Sequence, residues 1–486
     1  MQAFKATTMV LVLSLAFAAP SQAQQATSLS QSVERAVLTH PELGARFQDF
    51  QSSLEGQNVA RGALLPEVNA SGWLGREWRG STSLSPSYDW NRRGYSLELR
   101  QLIFDGFSTV NQIKQLGFEK LAGYYELLAS VDNVALEAAL AHVDVQRYRE
   151  MEQLARENYN MHLNILGQIR ERQESGVGRG VDLEQAYGRQ ALAQSNVMTE
   201  AGNLNDVLQR YRRIVGESAA PVLLDPPSLS AELPQDPEDF TDSLRGNPAI
   251  LAKQALVQAA NAGKDVARGR FSPTLELRAA TGKDRNEPPS VNYRDAQASN
   301  IQLVLSYNLF RGGADSARVR QTAAQAYAAR DVRDYTCRNV QQDLAIAWNN
   351  ITRLREQVVF LQEHELATSK VRVAYMQQFQ IGQRSLLDLL DTENELFDAR
   401  RALANALYDL QQAEIRWLAS SHQLLPALGL SQPHDEAPEE NDELDFPDEA
   451  IQACMMPTPD AANLQPIVVE YRNNLQPPIV RTQTVN

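Results

Sequence analysis

The residue types that most often carry out chemistry are present in this chain without the arrangements that chemistry needs. Six histidines stand at 40, 142, 162, 364, 422 and 434, with no ligand spacing among them, and are expected to be packing or surface residues. There is no glycine-rich phosphate loop, no His-Glu-x-x-His and no Gly-x-Ser-x-Gly, the strings that would seat a nucleotide, a catalytic zinc or a nucleophilic serine. Cys337 and Cys454 lie 117 positions apart, which leaves at most one bridge and excludes cysteine-rich zinc sites. Asp388 and Asp391 are three residues apart in a helical stretch, and by spacing alone are most simply carboxylates on a solvated face. Arg384 by itself is an exposed charge. No catalysis and no cofactor are expected, so energy for any work must come from a partner.

The 486 residues carry 46 Lys+Arg against 60 Asp+Glu, a formal charge of −14. Residues 434–486 hold 11 acids and only Arg472 and Arg481, a local −9, and residues 24–433 hold −6. With no basic stripe, nucleic acid is not an expected partner. At the start, Lys5, the apolar run Met9 to Ala19 and the small-x-small string Ser21-Gln22-Ala23 form a secretory leader over residues 1–23. Neither cysteine lies at its cleavage site, so no cysteine-linked lipid anchor is expected. No later stretch approaches the ~20 uninterrupted apolar residues of a membrane-spanning helix. The chain reads as exported.

Internal repetition organises the remainder. His40-Pro41-Glu42-Leu43 recurs as Asn247-Pro248-Ala249-Ile250, and Gly62-(x)3-Pro66 recurs as Gly269-(x)3-Pro273, both at an offset of 207. Leu102-Ile103-Phe104-Asp105-Gly106 matches Asn308-Leu309-Phe310-Arg311-Gly312, and Gly176-(x)5-Asp182 matches Gly382-(x)5-Asp388, both at 206. Four landmarks at offsets of 206 or 207 imply a tandem duplication, with domains at 24–220 and 238–430 joined by a Pro-rich linker, 221–237.

Each half has one order. A helical segment, Leu29 to Leu64 or Phe240 to Arg270, ends at a proline, which cannot donate a backbone hydrogen bond and disfavours helix just before itself. Two period-2 segments follow: Val68, Ala70, Gly72 and Leu74, then Leu97 and Leu99, in the first half; Leu275, Leu277 and Ala279, then Ile301, Leu303 and Leu305, in the second. Polar loops are expected at Ser81 to Arg92 and Asn286 to Ser299. After Gly106 and Gly312 the period turns helical for about 70 residues. Val131, Val134, Ala138, Ala141 and Val145, and Leu344, Ala347, Ile351, Leu354 and Val358, step by threes and fours. Leu396, Leu403, Leu410 and Trp417 step by sevens on a return helix. These are coiled-coil spacings.

Long helices that simply pack together would explain the heptads alone. A helix of ~68 residues, about 100 Å at 1.5 Å per residue, is longer than a compact domain needs. Each also begins directly after a pair of strands with the length and alternation of membrane-barrel strands. Four strands cannot close a barrel, and an open edge in lipid leaves backbone groups unpaired. Two copies would give an 8-stranded barrel filled by its own side chains; three are the smallest assembly that leaves a pore.

The second hairpin tip, Gln380-Ile381-Gly382-Gln383-Arg384-Ser385-Leu386-Leu387-Asp388-Leu389-Leu390-Asp391, with Leu396-Phe397-Asp398-Ala399-Arg400 after it, closely resembles the TolC family of outer-membrane channel proteins. Ser175-Gly176-Val177-Gly178-Arg179-Gly180-Val181-Asp182 fits the family's other tip, and the likeness runs over roughly residues 28–425. The resemblance implies a mainly α fold with membrane β: a tandem-duplicated protomer giving four strands to a trimeric 12-stranded barrel, with long coiled-coil helices forming an α-barrel across the periplasm. It implies a homotrimer in outer membrane lipid, working with a periplasmic adaptor protein and an inner-membrane pump, expected to be an ABC transporter. It places an aperture ring at Asp388 and Asp391, a latch between Arg384 and Asp182, and adaptor-docking tips at Gly176, Gly178 and Gly382. The three glycines Gly176, Gly178 and Gly180 make the first tip looser than the family pattern.

Within that class, Gly178-Arg179 … Asp182-Leu183-Glu184-Gln185-Ala186 … Gly188-Arg189 … Leu192-Ala193 … Ser195-Asn196 looks more like the branch that serves large adhesin-type cargo. Type I secretion of a polypeptide is therefore favoured over small-molecule efflux; a periplasmic coiled-coil scaffold without a pore is the reading from another class. Residues 431–486, acidic and Pro-rich, read as a disordered tail.

Overall fold

A computed structural model describes residues 26–80, 87–234, 240–285, 296–433, 437–438 and 444–456. The expected leader, His434, the tips of both interstrand loops and most of the expected tail lie outside the described residues. The first repeat contributes α1 (Leu29–Thr39), α2 (Pro41–Gly62), β1 (Glu67–Arg79), β2 (Tyr88–Phe104), α3 (Ser108–Glu174) and α4 (Gly180–Val215). The second contributes α5 (Thr241–Arg245), α6 (Pro248–Gly269), β3 (Thr274–Arg285), β4 (Ala296–Ser306), α7 (Ala314–Gln380) and α8 (Leu386–Ser420). Two short helices follow, α9 (Leu424–Ala427) and α10 (Asp448–Cys454).

The opening helical segment of each repeat is two helices where one was expected. Pro41 and Pro248 hold the first position of α2 and α6, so His40 and Asn247 before them are extended, with ψ of 126° and 119°. Asn247 also caps α6, its side-chain oxygen accepting from the Ala249 and Ile250 amides at 3.0 and 3.3 Å. The repeated His-Pro and Asn-Pro strings are thus helix breaks.

The four strands form one antiparallel sheet in the order β1-β2-β3-β4. Val68 faces Leu99, Leu99 faces Ala279 and Ala279 faces Ile301, so these rows share one side of the sheet. On that side Val68, Leu97, Ile301, Leu303 and Leu305 are 46 to 73 % exposed, the outward apolar face of a membrane barrel strand. The other side is polar: Arg100 and Arg278 both bind Glu276, and Trp73 Nε1 donates to Asp284 at 3.2 Å. Trp73 lies over Gly94, where any Cβ would fall 2.5 Å from the indole ring. The strands run further than expected, because Tyr88–Arg92 and Ala296–Ser299 continue the ladder. In these extensions charged and polar residues stand on both faces beside Trp78 and Trp90, so the sequence alternation fades while the backbone pairing persists.

By internal contact the chain forms two compact units, each drawn from both repeats. One, with 26–46, 130–234 and 346–433, buries the heptad positions Val131, Val134, Ala138 and Val145 and, on α7 and α8, Ile351, Leu354, Leu396 and Trp417. The other, with the strands, buries Phe50, Phe118, Leu121, Tyr124, Tyr125 and Leu128 against Ala252, Ala255 and Ala259.

The expectation of disorder from residue 431 onward is corrected for 444–456. Leu444 packs on the Phe50–Phe118 cluster, Gln254 and Gln258 donate to the Asp445 carbonyl, and Arg245 pairs with Asp448 at 2.6 Å. Ile451 and Cys454 of α10 are buried, and Cys454 is bonded to Cys337 of α7. Gln341 closes the segment, donating to the Met456 carbonyl at 2.7 Å and accepting from its amide at 2.8 Å. Acids and prolines around this stretch mask its short apolar pattern, and a disulfide adds a constraint that composition does not carry.

Candidate functional site

The two helical hairpins, α3–α4 and α7–α8, turn by the same backbone device. Gly176 and Gly382 are left-handed, φ 77° and 76°. The next residues donate back into the helix: Val177 to Arg172 at 3.0 Å and Gln383 to Gln378 at 2.8 Å. This Schellman closure places glycine where a side chain would be strained. One residue further, the tips diverge. A Cβ on Gly178 would lie 2.7 Å from the Gln173 nitrogen, so the first tip turns back onto its own helix. Its counterpart in the repeat, Arg384, projects instead: its guanidinium lies 4.3 Å from the Tyr375 ring centroid, and Nε donates to Gln378 at 2.9 Å.

The start of the return helix differs too. Ser385 and Asp388 form a capping box: the Asp388 amide donates to Ser385 Oγ at 3.2 Å, and the Ser385 amide and hydroxyl donate to Asp388 Oδ2 at 3.3 and 2.8 Å. Arg384 adds an ion pair to Asp388 at 3.8 Å. Arg179, in the Ser385 position, caps nothing with its side chain. Asp388 therefore serves the helix end whatever else it does.

Beneath the tips, Ile165 and Ile169 of α3 pack with Phe379 of α7 and Leu386, Leu389 and Leu390 of α8. Arg172 lies 4.4 Å from the Phe379 ring centroid. These contacts present Asp391 to the first hairpin, where Arg189 Nη2 binds it at 2.8 Å. The expected latch is not made within one chain: Arg384 meets Tyr375, Gln378 and Asp388, and the Asp182 carboxylate has no hydrogen bond or ion pair among the described residues.

A cleft of about 500 Å³ opens beside the Arg189–Asp391 pair, lined also by His364, Asn394, Glu395 and Asp398. Asp388, Asp391, Glu395 and Asp398 step by 3, 4 and 3 along α8, one face of a helix. Sequence reading stopped at the first two; the same spacing rule extends the stripe, while Arg189 is visible only once the hairpins are packed. Among the described residues no group of three His, Cys, Asp or Glu side chains could hold a metal ion. His142 and His162 lie within the helical packing, and desolvation pushes both below the usual imidazole pKa, which keeps them neutral. A stripe of charges on one helix face can attract, repel and link.

Comparison with known proteins gives the arrangement a context. A profile of the family "Outer membrane efflux protein" matches residues 32–217 and 241–420. The outer membrane efflux protein BepC of Brucella suis is 26 % identical over 396 residues, covering 81 % of this chain and 82 % of that one. The alkaline protease secretion protein AprF of Pseudomonas aeruginosa is 25 % identical over 397 residues, 77 % of this chain and 80 % of that one. The crystal structure of the Campylobacter jejuni CmeC outer membrane channel superposes with a TM-score of 0.74 at 16 % identity, covering 86 % of this chain and 89 % of that one.

Proposed function

Because the chain belongs to the outer membrane efflux protein family, we propose that three copies of it form the passive outer-membrane conduit of a tripartite machine that exports a polypeptide. The observation that carries this is the open sheet. β1 and β4 are edges, and an apolar outward face cannot sit in lipid with edges unpaired. Three copies supply twelve strands, which close and leave a water-filled lumen lined by the Arg100–Glu276–Arg278 side.

The hairpin tips would then meet around the periplasmic entrance. Asp388 and Asp391 from three chains form the narrow ring, and acidic rings favour cations. Arg384 reaches Asp182 of a neighbouring copy, which the unpartnered Asp182 carboxylate supports. Gly176, Gly178 and Gly382 shape the turns on which an adaptor docks, and an ABC pump beneath supplies the energy. Secretion is favoured by the Gly178 to Asn196 string and by the likeness to AprF; efflux of small molecules is the second reading, favoured by the likeness to BepC.

Two measurements test the assembly and the ring. Outer-membrane fractions run unboiled should show a heat-modifiable trimer, and a soluble monomeric band would refute the barrel. In planar bilayers, Arg384→Ser should raise single-channel conductance, and Asp388→Asn with Asp391→Asn should remove cation preference while leaving an oxygen at position 388 to cap α8. Deleting the gene should empty the medium of one large polypeptide; lost drug tolerance with an unchanged secretome would move the assignment to efflux.

A further inference from the structure

The first repeat meets the second through a contact whose two halves recur, unmet, at the edges of the chain. At that meeting β2 pairs with β3, and α3 packs on α6. The backbones approach too closely there for side chains. A Cβ on Gly106 would lie 2.5 Å from the Gly269 carbonyl oxygen, one on Gly269 would lie 2.8 Å from the Gly106 carbonyl oxygen, and one on Gly263 would lie 3.1 Å from Gln115 Oε1. Ser108 Oγ donates to the Val266 carbonyl at 3.3 Å.

The repeat offsets of 206 and 207 carry Gly106, Gly269, Gly263 and Gln115 to Gly312, Gly62, Gly56 and Gln321. Glycine recurs at all three glycine positions, yet among the described residues a Cβ on any of them would meet nothing within 4 Å. Glycine weakens a helix interior, so Gly56 in the middle of α2 is useful only where something comes close. Apolar positions follow the same pattern. Leu121, fully buried in the α3–α6 cluster, corresponds to Tyr327, 65 % exposed, and Val266 corresponds to Val59, 77 % exposed. The strand edges agree. Leu99 of β2 faces Ala279 of β3, and the same offsets set Leu305 of β4 opposite Gly72 of β1. Both stand on the outward face, whereas a slip of one residue would set an outward side chain against an inward one.

We propose that the second repeat of one copy docks on the first repeat of the next through this same contact, with Gly312 on Gly62, Gln321 on Gly56, and β4 on β1 in the register that places Leu305 opposite Gly72. The occupant is a second copy of this chain, because its first repeat carries the matching glycines and the matching strand edge. The two sides also trade size. Leu65 stands where Ser272 does, while Gly313 and Ala314 stand where Phe107 and Ser108 do, so a bulkier side chain meets a barer turn. The inference rests on the trimeric reading and adds to it the residues and the register of the seam.

The test is oxidative cross-linking of the full chain in outer-membrane fractions, read on boiled, non-reducing gels. Facing residues of paired strands lie about 4.5–5.5 Å apart at Cα, within reach of a disulfide. Four residues out of register adds about 14 Å along the strand, which is out of reach. Gly72→Cys with Leu305→Cys should therefore give a covalent trimer band, and Gly72→Cys with Ile301→Cys should leave monomers. Linkage of the Ile301 pair, alone or beside the other, overturns the register. Gly62→Leu adds a side chain whose Cβ meets nothing within a single copy, so it should keep the helical circular dichroism of the unassembled chain and lower the trimer yield about tenfold, as overpacking a tight contact does. An unchanged yield, or lost helix in the unassembled chain, overturns the glycine contact. A heat-modifiable wild-type trimer in which neither cysteine pair links refutes the seam alone; a wild type that forms no such trimer refutes the trimeric reading and the seam with it.

Discussion

The hairpins α3–α4 and α7–α8 share an offset of 206 and a backbone plan, yet their matched positions hold different interactions. His142 and Tyr211 of the first correspond to Trp348 and Trp417 of the second. In the first, Tyr211 and His142 Nδ1 both lie 2.9 Å from Ser32 Oγ, and His142 Nε2 is 3.3 Å from the Leu224 carbonyl. Nε2–H donating to that carbonyl leaves Nδ1 to accept from Ser32, which in turn accepts from Tyr211. In the second, the two indoles pack with centroids 6.3 Å apart, and the Trp417 nitrogen has no hydrogen-bond partner among the described residues. Val131, buried in the first repeat, corresponds to Cys337, which holds the C-terminal segment. Duplication thus conserves where helices meet, while each copy fills the meeting place with its own chemistry: directional and polar in one, apolar in the other, whose first helix is also bonded to the C-terminal segment.

The largest expected effect tests the apolar half of that contrast. Trp417→Ala should destabilise the protein by about 3–5 kcal/mol through the cavity it leaves, whereas Tyr211→Phe, which removes one hydrogen bond and keeps the ring, should cost about 1 kcal/mol. Urea unfolding followed by circular dichroism compares them. Similar losses would mean that the two meeting places are held in the same way.

Next comes the strap. Breaking Cys337–Cys454, by reduction or by Cys337→Ser with Cys454→Ser, should cost about 2–4 kcal/mol. Hydrogen exchange should rise in α6 and the first part of α7, which the strap contacts. Truncation after Pro433 should do the same or more, and truncation after Met456 should do nothing. Unprotected α6 amides in the intact oxidised protein would show that the segment does not dock.

What the sequence made legible followed from periodicity. The repeat, four alternating strands and two 67-residue helices need only side-chain spacing to be seen, and the helices α3 and α7 have that length. Pro41 and Pro248 were visible as residues, but the helix resumes at each, so the apolar period runs through the break. Gly176 and Gly382 were legible because a left-handed turn demands glycine. The partners of the charged residues were not. Arg189 approaches Asp391, 202 positions away, only through the packing of Ile165, Ile169 and Phe379 between the hairpins. The docking of Leu444 and Ile451 was lost among neighbouring acids.

The polar half of the contrast should show in its pH dependence. Burial holds the His142 pKa below the ordinary 6.5, so the unfolded chain takes up a proton before the folded one. Its stabilisation is complete above about pH 6.5 and is lost as pH falls toward the folded value, by no more than about 2 kcal/mol at pH 5. Trp348 and Trp417 cannot titrate, so exchange should quicken between pH 7 and 5 around α1, α3 and α4 and not around that pair. His142→Phe should remove the difference. A loss equal in both hairpins would place its origin elsewhere.

The smallest effect on stability concerns a place near the tips where the hairpins differ in sign. Arg189 of α4 corresponds to Glu395 of α8, and Arg189 binds Asp391 with its side chain about one-third exposed and that of Asp391 just over half exposed. Such a pair contributes about 0.2–1 kcal/mol, so Arg189→Gln should barely move the unfolding curve. Its effect on conduction has the opposite scale. Arg189 offsets one carboxylate per chain in the proposed ring, and removing it leaves Asp391 bare beside Glu395 and Asp398. Cation preference and block by multivalent cations should then increase, the reverse of the change expected for Asp391→Asn. If both variants shift selectivity in the same direction, Asp391 acts by tying the hairpins together and its charge is not presented to the pore.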